Sequence, residues 1–117
     1  MITNYTTQAL NAETVCIHFQ ADLLQTDAEF TQQIEQFIQK GILYFIISLE
    51  KVRYVNSSGL NLLLTILTKS RNAGGELILI NPNQTITNLL MVTKLNQVFV
   101  IQPDLPSAIS SLEQPTT

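Results

Sequence analysis

Short apolar runs alternate along this chain with segments whose apolar residues recur every three or four positions. Residues 42–49 form an almost unbroken apolar run, residues 76–80 form another, and residues 13–20 alternate polar and apolar side chains. Such patterns are typical of β-strands that are covered on one or both faces. Residues 3–8 and 98–101 are expected to add shorter strands, the first of them paired with 13–20 as a hairpin.

The first helical segment is expected between residues 26 and 41. Thr26 and Glu29 have the spacing of a capping box, which predicts that the helix begins there. Lys40 and Gly41 predict its end, because a cation and a glycine are favoured at a helix C-terminus. The apolar residues expected to face the core are Leu24, Phe30, Ile34, Phe37 and Ile38.

Three further helical segments follow along the chain. Asn56 is a good N-cap for a leucine-rich helix that is expected to end at Gly74. Pro106 is expected in the first turn of a short final helix, because proline is favoured at that position. Between them, a third helix is expected over residues 84–93. Its inward residues are predicted to be Ile86, Leu89, Leu90 and Val92.

The order of these elements predicts a single α/β domain over residues 1–117, with residues 114–117 as a frayed tail. Its sheet is expected to have four or five strands, mixed but mostly parallel, with about four flanking α-helices. Ligands of open α/β sheets bind outside the carboxyl ends of the strands. The junction at residues 56–59 is therefore expected at the functional edge of the sheet.

Composition restricts the possible functions. The net charge of -3 and the pI of about 4.9 argue against a nucleic-acid surface, which needs clustered cations. The single cysteine, Cys16, is expected to be a buried thiol, and we find no metal-ligand cluster and no cofactor motif in the sequence. Residues 1–10 lack the features of a signal peptide, so we expect a cytoplasmic protein without membrane insertion.

The segment Asn56-Ser57-Ser58-Gly59 interrupts the apolar pattern between a strand and a helix. An anion on Ser57 would be stabilised there by the unpaired amides of the first turn and by the helix dipole. One alternative is a capped helix start whose small residues only permit close packing. Another is a nucleophile elbow, but the only histidine, His18, precedes the serine, opposite to the order of that fold. We therefore expect no catalytic residue.

Residues 47–60, Ile-Ser-Leu-Glu-Lys-Val-Arg-Tyr-Val-Asn-Ser-Ser-Gly-Leu, are similar to a pattern of the STAS domain family. In that pattern a hydrophobic strand is followed by Asp-Leu, a Val and then Asp-Ser-Ser-Gly-Leu. Residues 74–77 leading to Asn81-Pro82, and Leu95 followed by Val98-Phe99, also match the family. Over nearly its whole length, the chain therefore resembles the anti-sigma factor antagonists of this family.

The resemblance implies a partner-switching regulator that is not an enzyme. The unphosphorylated form would bind an anti-sigma factor that is also a serine kinase of the histidine-kinase-like ATPase type. Phosphorylation of Ser57 would release this partner, and a metal-dependent serine/threonine phosphatase would restore binding. The partner-binding residues that the resemblance implies are Ala21, Asp22, Leu23, Asn56, Ser57, Ser58, Gly59 and Leu60.

The chain departs from the family pattern at several positions. Asn56 replaces the Asp before the serine, Ser48 replaces the Asp of Asp-Leu, and Leu24 stands where another Asp is usual. Lys94 replaces a usual Gly. The loss of carboxylates makes the electric field around Ser57 less negative than in the family. An alternative function is therefore a STAS scaffold, or a ligand- or lipid-transport subunit, that is not phosphorylated.

Overall fold

The computed structural model describes residues 3–113 and contains the predicted order of elements. Its strands are β1 (Tyr5–Ala9), β2 (Thr14–Phe19), β3 (Tyr44–Ser48), β4 (Glu76–Ile80) and β5 (Val100–Gln102). Its helices are α1 (Ala28–Gln39), α2 (Ser57–Asn72), α3 (Gln84–Val92) and α4 (Leu105–Glu113), with a short 3-10 turn at Leu95–Gln97. The α/β fold class predicted from the sequence is confirmed.

The five strands form one mixed sheet in the order β1-β2-β3-β4-β5. β1 is antiparallel to β2, and the other neighbouring pairs are parallel. Because the parallel strands are joined by helices, every βα junction lies at the same edge of the sheet. The register aligns one apolar residue from each parallel strand in a row across the sheet, namely Ile17, Ile47, Leu79 and Ile101.

The two faces of the sheet are covered unequally. Helices α1, α2 and α3 pack on one face and form the main core, in which Phe30, Ile34, Leu63 and Ile66 are fully buried. Helix α4 packs on the other face, where Ala108 is fully buried in a smaller apolar cluster. The remaining buried members of this cluster are Cys16, Ile46, Ile78 and Ile80. The predicted burial of Cys16 is thereby confirmed.

The predicted start of α1 was wrong. The N-cap is Asp27, whose Oδ1 accepts a hydrogen bond of 3.1 Å from the amide of Phe30, so Thr26 and Glu29 do not form a capping box. The Oδ2 of Asp27 also accepts a bond of 2.8 Å from the amide of Thr3. The contact with Thr3, which is distant in sequence, therefore stabilises an N-cap at Asp27, one residue after the predicted Thr26. An ionised carboxylate is also a stronger acceptor than a hydroxyl.

Three other sequence-based assignments are corrected. Leu24 is 49% exposed, and its neighbour Leu23 occupies the core position instead. Val92 is 82% exposed because it lies two residues after the buried Leu90, on the opposite side of α3. β5 begins at Val100 because the turn at Leu95–Gln97 and the buried Phe99 precede it. The predicted tail at residues 114–117 lies outside the described residues.

Candidate functional site

The start of α2 is built as the sequence predicts. Asn56 has an extended backbone, with φ of -98° and ψ of -172°, and its Oδ1 accepts a hydrogen bond of 2.9 Å from the amide of Gly59. Ser57 is the first helical residue, and its side chain is exposed. The amides of Ser57 and Ser58 precede the first possible intrahelical bond, so they are available to an external acceptor. The predicted N-cap is confirmed.

The loop at residues 21–25 lies against this helix start. The amide of Leu23 donates to the carbonyl of Tyr54 at 3.1 Å, and the amide of Asn56 donates to the carbonyl of Leu23 at 3.2 Å. The Nδ2 of Asn56 donates to the carbonyl of Leu24 at 3.0 Å. One side chain therefore caps the helix and holds the loop, so the two predicted binding segments form one continuous surface.

Gly59 allows the close approach between the loop and the helix. A Cβ atom at this position would lie 2.0 Å from the carbonyl oxygen of Leu23 and 2.8 Å from its carbonyl carbon. Both atoms belong to the backbone, so no side-chain rotation relieves the overlap. The alternative in which small residues permit close packing therefore applies at Gly59, whereas the exposed Ser57 has no such role.

The predicted binding residues divide by exposure. Ala21, Asn56 and Ser57 are exposed, and Asp22 and Ser58 are half-buried. The other three, Leu23, Gly59 and Leu60, are buried and support this surface from beneath. The Oδ1 of Asp22 accepts from the amide of Arg53 at 2.8 Å and from that of Tyr54 at 3.3 Å. Its carboxylate thus holds the segment before the helix in place.

Two exposed apolar side chains beside the site were missed by the sequence analysis. Leu24 is 49% exposed and Tyr54 is 57% exposed, and their backbones bond to Asn56 and Leu23 respectively. A shallow groove of about 360 Å³ lies between α2 and the 3-10 turn. It is lined by Ser57, Ser58, Leu60, Asn61, Leu64 and Leu95. Apolar side chains that are exposed (Leu24, Tyr54) or half-buried (Leu64, Leu95) are therefore found around the helix start.

Charged side chains of both signs, among them Asp22, lie in the segments next to the helix start. The first turn of α2 contains no acidic residue. Lys51 and Arg53 are exposed in the preceding segment, where Lys51 Nζ donates to Gln20 Oε1 at 3.2 Å. The guanidinium of Arg53 lies 6.0 Å from the centre of the Tyr54 ring. Added negative charge on Ser57 would therefore lie at a helix N-terminus whose first turn has no acidic side chain.

The arrangement expected of a serine hydrolase does not form around Ser57. His18 Nε2 lies 3.2 Å from Gln8 Oε1, and the ring lines a cavity with Ser48 and Lys51 instead of the groove at Ser57.

Burial raises the pKa of the Cys16 thiol to about 11, which disfavours a nucleophilic thiolate. Within residues 3–113, no three metal-ligating side chains cluster, and none of the helices has the length and hydrophobicity of a transmembrane segment.

The same chain matches the family model of the STAS domain over residues 6–108. This chain belongs to the STAS domain family. The match includes the loop at residues 21–25, the helix start at Asn56 and all five strands except the first residue of β1. The resemblance found in the sequence is thereby confirmed.

Relatives of this STAS domain share its fold at low sequence identity. A Thermotoga neapolitana protein described as a homologue of an anti-sigma factor antagonist is 24% identical over 79 residues, covering 68% of this chain and 70% of the relative. The crystal structure of a Thermotoga maritima protein described as an anti-sigma factor antagonist superposes with a TM-score of 0.80 and 18% identity, covering 94% and 95% of the two chains. The phosphorylated form of the Bacillus cell-fate determinant SpoIIAA gives 0.70 and 20%, covering 93% and 99%.

Proposed function

We propose that this STAS domain is an anti-sigma factor antagonist that acts by partner switching in the cytoplasm. Its unphosphorylated form binds an anti-sigma factor that is also a serine kinase of the histidine-kinase-like ATPase type. The kinase transfers the γ-phosphoryl group of ATP to Ser57 Oγ, ADP leaves, and the partner dissociates. A metal-dependent serine/threonine phosphatase hydrolyses the phosphoserine and restores binding. The relatives described as anti-sigma factor antagonists, and the phosphorylated form of SpoIIAA, support this scheme.

The observation that carries the proposal is the position of Ser57. It is the exposed first residue of a 16-residue helix, next to amides that lack intrahelical partners. A phosphoryl group there adds a charge of about -1.5 to -2 and three strong acceptor oxygens. Its interaction with the helix dipole contributes about 0.3–1 kcal/mol to the stability of the modified domain. The fold therefore tolerates the modification.

The surroundings of Ser57 explain why the modification would release a partner. A protein that covers this surface would bury Leu24, Tyr54 and the groove at Leu64 and Leu95. Ser57 lines that groove and would lose its water. Removing a doubly charged phosphate from water is costly unless the partner supplies cations and hydrogen bonds. A partner matched to the neutral hydroxyl would therefore be released by the phosphate.

A second candidate function is a STAS scaffold, or a ligand- or lipid-transport subunit, without phosphorylation. It is favoured by the absence of acidic side chains in the first turn of α2, together with Asn56 and Ser48 at positions where the family pattern has Asp. A kinase that recognises those carboxylates would not recognise this chain. The partner surface itself would still be present, because it depends on the loop at residues 21–25 and the helix start.

Phosphorylation is tested by incubating the domain with kinase-type anti-sigma factors and ATP, followed by peptide mass spectrometry. We expect a single phosphate on the peptide that contains Ser57. Ser57→Ala should abolish the modification, whereas the matched control Ser58→Ala should retain it. A phosphate on Ser58 alone, or none with any such kinase, would exclude Ser57 as the switch.

Partner binding is tested by calorimetry with wild type, Ser57→Ala and Ser57→Asp. Ser57→Asp should weaken binding by roughly 10- to 100-fold, because like charges or unpaired charges in an interface cost several kcal/mol. The same variant should be at least as stable as wild type, because Asp is favoured in a first helical turn. Equal affinity of all three forms would support the scaffold instead. No binding to any kinase-type anti-sigma factor would exclude the regulator.

A further inference from the structure

A cavity of about 310 Å³ lies at the edge of the sheet opposite to Ser57, where β2 and β3 begin. Its walls combine three apolar side chains with polar ones, and the polar groups contribute the larger share of the lining surface. The lining residues are Leu10, Asn11, Glu13, Thr14, Tyr44, Ile109, Leu112 and Glu113. Small-molecule sites are typically concave and about 300–1,000 Å³ in volume, so this cavity lies at the lower end of that range, with a more polar lining than most.

The fold explains why space remains here. On this face of the sheet, α4 is the only helix among the described residues, and it has nine residues. Its Ala108 packs directly on the sheet and is fully buried. Leu10, which follows β1, packs against the same cluster from the other side. The space between Leu10 and the last turn of α4, at Leu112, is the cavity.

Thr14 supplies an unused polar group. The residue is only 4% exposed and lines the cavity, yet its hydroxyl makes no hydrogen bond within residues 3–113. Among the described residues no buried polar side-chain atom lacks a partner, so this hydroxyl is open to the cavity and to its water. A hydrogen-bonding group of a bound molecule can therefore take the place of that water.

The charges at the rim are negative and uncompensated. Glu13 and Glu113 are both exposed there, and neither carboxylate has an ion-pair partner in the part of the chain that the structure describes. The lining contains no Lys, Arg or His. Tyr44 adds an aromatic ring, whose face attracts cations. All three side chains therefore favour a cation over an anion.

We propose that this cavity binds a small organic cation, namely an amine with an apolar body. The body lies between Leu10, Ile109 and Leu112, and the ammonium group lies towards the carboxylates of Glu13 and Glu113. A donor group of the ligand bonds to the hydroxyl of Thr14. The site does not depend on the partner switch, because Ser57 lies beyond the carboxyl ends of the strands and the cavity lies at their amino ends.

The test is a titration of the isotope-labelled domain with 4-phenylbutylammonium, followed by amide chemical shifts. The neutral 4-phenylbutanol and the anionic 4-phenylbutanoate have the same apolar body and serve as controls. We expect shifts around the cavity, with affinity decreasing from the amine to the alcohol to the acid. Added salt should weaken binding of the amine, because it screens exposed charges. Equal binding of the acid and the amine, or shifts confined to another region, would exclude the site.

Variants of the two carboxylates provide the second readout. Glu13→Gln and Glu113→Gln should each weaken binding of the amine about two- to fivefold, as expected for removal of one exposed ion pair. Both residues are exposed, so neither change should affect folding. Glu50→Gln removes an exposed carboxylate outside this cavity and should leave the affinity unchanged. If the double variant bound the amine as tightly as wild type, the proposal would be wrong.

Discussion

Replacement of Gly59 by alanine tests whether the candidate site depends on contact between the loop at residues 21–25 and α2. The new Cβ would lie 2.0 Å from the carbonyl oxygen of Leu23, whereas ordinary contacts begin at 3.4 Å. The loop or the helix must therefore move by about 1.4 Å, the difference between these two distances. We expect the loop to move, because it is shorter and has fewer buried contacts than the helix.

The magnitude follows from the contacts that this movement breaks. Three hydrogen bonds join Leu23 and Leu24 to Tyr54 and Asn56, and each contributes about 0.5–1.5 kcal/mol. Leu23 is 3% exposed, and full burial of such a side chain contributes about 1.5–3 kcal/mol. Water and partial repacking recover some of this loss, and alanine in place of glycine in a helix returns up to about 1 kcal/mol. The expected net destabilisation is about 2–4 kcal/mol.

Urea denaturation measures this loss as a lower midpoint with an unchanged slope. Gly74→Ala is the matched control, because Gly74 has a φ of +92° and no atom lies within 4 Å of its hypothetical Cβ. That variant should lose only the cost of a left-handed backbone, about 1–2 kcal/mol. Amide spectra of Gly59→Ala should change mainly in the loop and at the start of α2. The reasoning is refuted if Gly59→Ala is as stable as wild type, or costs less than Gly74→Ala.

Three further experiments test the N-cap at Asn56, the backbone conformation of Lys94 and the burial of the Cys16 thiol. Asn56→Ala should lower the free energy of unfolding by about 1–2 kcal/mol in urea denaturation, because it removes the N-cap and the bond to the loop; no loss would contradict both roles. Lys94→Gly should raise the free energy of unfolding by about 0.5–1 kcal/mol, because Lys94 has a φ of 61°, a conformation that glycine adopts without strain. A lower free energy of unfolding would show that the lysine side chain stabilises the turn. The Cys16 thiol should resist iodoacetamide at neutral pH until the protein unfolds, because burial raises its pKa to about 11 from an ordinary 9.0. Since the folded state holds this proton more tightly, the contribution of the thiol to the free energy of unfolding should be complete below pH 9.0 and should be lost as the pH rises towards about 11. Cys16→Ala should remove this pH dependence of stability.

The sheet could be predicted from the sequence because its determinants are local. β3 and β4 are short runs of Ile, Leu and Phe that satisfy the pattern of buried parallel strands without any knowledge of their neighbours. The same holds for the start of α2, where Asn56 is followed by small residues and then by leucines. Local patterns therefore predicted the fold class and the place of the junction, and the family motif added the proposal that Ser57 is phosphorylated.

The contacts that build the surface around Ser57 could not be predicted from local patterns, because the residues that form them are distant in sequence. Leu23 bonds to Tyr54, 31 residues further along the chain, and no periodicity distinguishes it from Leu24, which is exposed. Asp27 became the N-cap of α1 in part through the amide of Thr3, 24 residues before it. Local patterns do not contain such pairings, so the exposed apolar groups at Leu24 and Tyr54 emerged only from the structure.

Asn56 stands where the family pattern has Asp, and its two hydrogen bonds give a physical reason for this difference. Its side chain accepts from the amide of Gly59 and donates to the carbonyl of Leu24 at the same time. An ionised aspartate could only accept, so it would keep the cap but place negative charge beside the Leu24 carbonyl. Compared with an aspartate, Asn56 therefore lacks a charge and makes an additional hydrogen bond to the loop. It also leaves no carboxylate next to Ser57, so a phosphate there would meet less repulsion than beside an aspartate. The residue that departs from the family pattern is therefore compatible both with an intact binding surface and with phosphorylation of Ser57.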